Sequence, residues 1–168
     1  MRYAAKGFSY IELIFAVAIL ALLATAATPY LEKTIQRKKE AELRENLREL
    51  RTAIDAYKAA SDAGKISKNV GDSGYPKHLD DLVNGVIDIT SPQKQKLRFL
   101  RSIPADPMFR NLASTSDLNA NSEIAAETTW GRRSYDSEAD DPREGADVFD
   151  VYSLNPQAGL NGVPYQQW

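Results

Sequence analysis

The chain has 168 residues, no cysteine, a single histidine and a formal net charge of −2, with 43% hydrophobic and 26% charged residues. Without cysteine there is no disulfide framework and no thiolate metal site, and with His78 alone most histidine-based catalysis and zinc chemistry drop out. The slightly acidic balance argues against a nucleic-acid binder, which shows a basic face or an overall basic balance. The length corresponds to about one domain. Mean hydropathy is negative, yet the first 30 residues are strongly apolar. Two unlike parts are therefore joined, an apolar N-terminal rod and a polar globular portion.

Residues 1–7 read MRYAAKG, with Arg2 and Lys6 as their only charges, and from Phe8 to Tyr30 the only charge is Glu12. As a helix, Phe8–Pro29 would be about 33 Å long, enough to cross a hydrocarbon core of ~30 Å. Positive charge before the span predicts that Met1–Gly7 stays cytoplasmic and the rest is exported. Three readings compete: a plain single-span anchor, a secretory signal cut behind Ala24-Thr25-Ala26, and a short leader cut between Gly7 and Phe8. Glu12 favours the third. A carboxylate in a membrane span costs roughly 2.5–3.5 kcal/mol on insertion scales and usually has a specific partner. A cut after Gly7 creates an ammonium at Phe8, four residues before Glu12. In a filament, Glu12 of one subunit can pair with the Phe8 ammonium of its neighbour and fix the axial step. The plainer alternative is a stray carboxylate kept wet by lipid headgroups.

Lys6-Gly7-Phe8-Ser9-Tyr10-Ile11-Glu12-Leu13, followed by a long apolar stretch, resembles the type IV prepilin cleavage motif, and Pro29 falls where pilin-like proteins carry a helix-kinking proline. The resemblance implies cleavage after Gly7 by a prepilin peptidase, N-methylation of Phe8, and assembly guided by Glu12.

Beyond Pro29, Leu31, Ile35, Leu43, Leu47, Leu50, Ile54 and Tyr57 recur at helical spacing and form one apolar stripe. Between them lies a mixed-sign charge run with pairs such as Glu40–Arg44 and Glu45–Arg48, read as a solvated face. One long helix from about Ser9 to Ala60, bent near Pro29, is expected. Ser61–Gly74 reads as a loop. Tyr75-Pro76 opens a short helical turn carrying Leu79, Leu82 and Val83. Ser91-Pro92 reads as a helix start leading through Leu97. Phe109–Glu127 reads as a polar insertion, Thr129–Tyr135 and Ala146–Ser153 as strands, Asp136–Gly145 as an acidic loop, and Tyr165 and Trp168 as aromatic pins for the C-terminal segment.

Tyr75-Pro76, Ile103-Pro104-x-Asp106-Pro107-Met108, Trp130-Gly131-x-Arg133-Ser134, Phe149-Asp150-Val151-x-Ser153 and Asn161-Gly162-x-Pro164-Tyr165-x-x-Trp168 together resemble the C-terminal domain of type II secretion system major pseudopilins. The family usually binds calcium in a carboxylate-bearing loop after the last strand. Here Ser153–Gly162 has no carboxylate, so no cofactor is expected; Asp150, Ser153, Asn155 and backbone carbonyls are the oxygens left for a weak calcium site. The cluster of Asp136, Glu138, Asp140, Asp141, Glu144, Asp147 and Asp150 suits a metal, a basic partner or, more simply, a solvated loop. No nucleophile elbow, phosphate loop or metal-binding histidine pair occurs, and no enzyme is expected.

The expectation is an α+β, pilin-like fold: a leader over 1–7, a membrane-spanning and filament-core helix over 8–30, its amphipathic continuation over 31–60, and a periplasmic domain over 61–168 whose small antiparallel sheet of two to four strands packs on the helix. The function this implies is a structural filament subunit of a type II secretion-like system in the inner membrane. Its implied partners are further copies of itself, other pseudopilins or minor pilins, the prepilin peptidase, an inner-membrane assembly platform and membrane lipid, with no nucleic acid. A type IV pilin forming a surface fibre, and a non-polymerising single-span periplasmic binding or scaffold protein, are the rival readings.

Overall fold

The computed structural model describes residues 9–109 and 125–168; within the first helix the side chains at 24 and 26–29 are outside that description. The molecule is α+β, with a long N-terminal helix and, among the described residues, two small antiparallel sheets. It divides into two units, Met1–Lys38 and Lys39–Trp168.

Helix α1 runs from Tyr10 to Asp62, 53 residues, with Glu12 in its first turn. Its backbone is helical through position 29. The end is set by Gly64, whose φ of 71° is costly for any residue with a Cβ. Gly64 N–H donates to Ser61 O and Lys65 N–H to Ala60 O, both at 3.0 Å, which closes the helix in a Schellman motif. The helix therefore extends two residues beyond Ala60, to the last position before the Ala63-Gly64 turn.

In the second unit, Leu43, Leu47, Leu50, Ile54 and Tyr57 of α1 are buried together with Leu79, Leu82, Leu100, Trp130, Val148, Val151 and Tyr165. At roughly 1.5–3 kcal/mol for each large side chain taken out of water, this stripe is the main force ordering the unit. Leu31 and Ile35 share its spacing but are exposed.

A short helix α2, Asp80–Asn84, follows Tyr75-Pro76 as the sequence suggests. The helix expected after Ser91-Pro92 is replaced by a hairpin. Strands β1 (Val86–Ile87) and β2 (Lys96–Leu97) pair antiparallel, Val86 opposite Leu97. The signals at Ser91-Pro92 serve a turn equally well: Asp88 Oδ1 accepts Thr90 N–H at 2.8 Å, Lys94 N–H donates to Ser91 O, and Lys94 takes a φ of 49°. These local bonds satisfy donors that a helix would have needed.

Strands β3 (Trp130–Arg133) and β4 (Asp150–Ser153) form the second sheet, with Trp130 opposite Ser153 and Arg133 opposite Asp150. Among the described residues the strands thus form two separate two-stranded sheets rather than one. The expected strand over Ala146–Ser153 begins only at Asp150, because Val148 N–H turns away to donate to Pro76 O at 2.8 Å. Gly131 is required by close approach: a Cβ there would lie 2.4 Å from the Tyr152 ring.

Candidate functional site

The N-terminal part of α1 is an exposed apolar surface. Every residue from Tyr10 to Leu23 is exposed, including Ile11, Leu13, Ile14, Phe15, Val17, Ile19, Leu20 and Leu22. Glu12 is the one charge among them. A first-turn carboxylate is also favourable to the helix itself, by about 0.3–1 kcal/mol through the helix dipole. The Thr25 hydroxyl donates to Leu22 O at 2.8 Å and that of Thr34 to Tyr30 O at 2.8 Å, so both donors are satisfied within the helix. Among the described residues no helix is long and apolar enough to cross a membrane, the described side chains being interrupted at 24 and 26–29. The expected cleavage and methylation positions, Gly7 and Phe8, lie outside the described residues; so does the Pro29 side chain, and so does positions 110–124 of the Phe109–Glu127 insertion.

The C-terminal motif residues converge on a buried polar knot. Asp106, 4% exposed, accepts Ser153 Oγ–H at 2.6 Å and Met108 N–H at 2.7 Å, while its own N–H donates to Thr129 Oγ1 at 2.9 Å. Burial pushes the Asp106 carboxyl above the usual carboxylate value, against the opposing pull of hydrogen bonds from Ser153, Met108 and Phe109. Asn155 donates from Nδ2 to Met108 O at 2.7 Å, and Trp130 Nε1–H donates to Pro104 O at 2.7 Å. Ile103–Met108, Trp130 and Ser153–Asn155 are thereby one cross-braced unit.

Two residues of the charge run on α1 leave the solvated face. Glu40, read from sequence as a surface partner of Arg44, is 4% exposed. Its Oε1 accepts Leu160 N–H at 2.8 Å and Tyr165 O–H at 2.9 Å. Arg51 pairs with Asp150 at 2.8 Å and donates to Val151 O at 3.2 Å and Trp168 O at 2.7 Å. Arg44 lies over the Trp168 ring, 4.3 Å from its centroid. Glu40, Arg44 and Arg51 hold the C-terminal aromatic segment on the helix. Their spacing of four and seven, on one helical face, was the available signal. Glu45–Arg48 does form, at 3.3 Å and fully on the surface.

The three oxygens left for calcium have different internal partners. Asp150 is held between Arg51 and Arg133. Ser153 Oγ bonds Asp106, and Asn155 Oδ1 accepts Gln157 N–H at 2.9 Å. Among the described residues, no three of His, Asp and Glu are grouped to hold a metal. The acidic cluster divides likewise. Asp147 accepts Ser134 Oγ–H at 2.7 Å, Tyr135 N–H at 2.9 Å and the Ser73 hydroxyl. Burial acts to raise its carboxyl, but the three hydrogen bonds together outweigh it and hold the group below its usual value. Asp136, Glu138, Asp140, Asp141 and Glu144 are exposed, and so is His78.

Comparison of the chain with known protein families, with characterised proteins and with solved structures finds no match.

Proposed function

We propose that the chain is a structural filament subunit of the pseudopilin kind, held in a bacterial inner membrane by residues 8–30 with its C-terminal domain in the periplasm. Prepilin peptidase cuts after Gly7, Phe8 is N-methylated, and subunits polymerise through the N-terminal helix, with Glu12 of one copy against the Phe8 ammonium of the next and Pro29 relieving the helix between lipid and domain. In a type II secretion-like system such a filament helps move proteins outward.

The observation that carries this reading is the uninterrupted exposure of an apolar helix from Tyr10 to Leu23 around a single carboxylate. Ten large apolar side chains are exposed there, and covering them contributes on the order of 20 kcal/mol. That far exceeds the ~3 kcal/mol of inserting one carboxylate, so the segment enters lipid or packs against like helices with Glu12 in tow. A surface of this size on a lone soluble helix is unstable in water.

Intact-mass analysis of the protein recovered from its native membrane tests the proposal. A mature chain beginning at Phe8 and heavier by one methyl is expected. A chain beginning at Ala27, or one retaining Met1, refutes it. A correctly processed chain that polymerises into long surface fibres would instead favour the type IV pilin reading.

A further inference from the structure

Resting on the filament reading, we infer that the periplasmic parts of successive subunits dock head to tail, the acidic loop 136–140 of one copy entering a basic groove of the next. The groove lies in the second unit, between α1 over Glu45–Ala56 and the segment from Val83 to Arg101, and encloses about 1130 Å³. Its floor is apolar, with Ala53 and Leu100 buried and Phe99 half-buried. Its outer wall carries Lys96, Arg98 and Arg101, all exposed and, among the described residues, in no ion pair. On the helix wall Arg48 is matched by Glu45, and Glu49 offsets one of the remaining cations without cancelling them.

The complementary feature is on the same molecule. Within the acidic loop, Asp141 pairs with Arg143 and Glu144 with Arg132, whereas Asp136, Glu138 and Asp140 form no ion pair among the described residues. Three exposed carboxylates thus stand against three exposed cations. The loop is fixed by Ser134 N–H donating to Arg143 O and by Asp147. It sits beside Tyr57 and Ser61, with which Asp136 shares a cavity, while the groove sits beside residues 45–56 of the same helix. At ~1.5 Å of rise per residue, the two features are offset along α1 by roughly 10–15 Å. Unlike patches at different heights make a heterologous contact, and a heterologous contact that does not close builds a helical polymer. Charge at such an interface sets partner and register, and it weakens with salt.

The chain has no cysteine, so engineered thiols report unambiguously. The test uses the full-length chain assembled in its membrane, with Arg98→Cys and Glu138→Cys in one molecule and a mild oxidant. A ladder of covalent multimers is expected from the double variant, and nothing beyond dimers from either single variant. Independently, Arg98→Glu is expected to reduce sedimentable polymer about tenfold, with Glu138→Arg in the same chain restoring most of it. Normal polymer with no ladder and no rescue overturns the inference while leaving the filament reading intact. Failure of the unaltered, Phe8-starting chain to polymerise overturns both.

Discussion

Replacing Glu40 should cost far more than its place in a surface-like charge run suggests. The carboxylate is buried and accepts from Leu160 N–H and Tyr165 O–H. Hydrogen bonds to a charged group contribute about 1.5–3 kcal/mol each, and a buried donor left without an acceptor costs a similar amount. Glu40→Ala removes the acceptor of both bonds and leaves the buried Tyr165 hydroxyl without it, so a loss of about 3–5 kcal/mol is expected. Glu40→Gln keeps a carbonyl in place and loses only charge assistance, about 1 kcal/mol. Tyr165→Phe removes the bond from the Tyr165 hydroxyl, and the Glu40→Ala/Tyr165→Phe pair should show a coupling of about 1–2 kcal/mol. The exposed neighbour Glu42 provides the control, expected within about 0.5 kcal/mol of the unaltered chain when replaced by alanine. Urea unfolding of the full-length chain in mild detergent, followed by tryptophan fluorescence, reads all five variants, because Trp130 is buried in the core and Trp168 packs on Tyr165 with ring centroids 5.0 Å apart. If Glu40→Ala matches Glu42→Ala, the buried tail anchor described above is not a significant source of stability.

Gly131→Ala places a methyl against the Tyr152 ring and is expected to destabilise by about 1–3 kcal/mol; thermal unfolding should show a fall of several degrees, largely recovered by adding Tyr152→Val. The acid limb of stability should owe a share to Asp147. Its folded-state value lies below the ordinary 3.8, so its contribution is complete above that value and is lost as pH falls through the lower folded value. Asp147→Asn should therefore flatten the stability profile in that acid window, while a slope unchanged from the unaltered chain would refute the assignment. Asp106 runs the other way: its folded value is raised above 3.8, so deprotonation penalises the fold as pH rises from 3.8 through the raised value, and Asp106→Asn should remove that penalty, visible as a relative gain at neutral pH.

Much of this architecture was legible in the residues. The three-and-four spacing of Leu43 to Tyr57 specifies the buried stripe, and the aromatic pair Tyr165 and Trp168 marks the pinned C-terminal segment. Local signals failed where two structures use the same chemistry. Ser91-Pro92 suits a helix start or a turn, and the bonds from Asp88 and the left-handed Lys94 decide for the turn. The alternation of Ala146–Ser153 is continuous in sequence, but a distant carbonyl, Pro76 O, takes the amide that would have extended the strand. The inward placement of Glu40 and Arg51 escaped notice because a charged residue in a polar run carries no mark of burial; only partners 99 to 125 positions away reveal it. At the N-terminal site, Glu12 stood out because it is a lone charge in an apolar helix, a contrast contained within one short stretch.

Glu40 bonds partners 120 and 125 positions later in the chain, and Arg51 reaches one 117 later. Loop closure over such distances is slow, and folding rates fall as contacts become less local. An α-helix of ordinary length forms within about a microsecond, so α1 exists long before its mates. During synthesis the stripe from Leu43 to Tyr57 stays only partly covered until Tyr165, a core partner near the end of the chain, emerges. The interval is a window of vulnerability to proteases and to premature association, and its length is set by how fast the last residues are delivered rather than by how fast the helix folds.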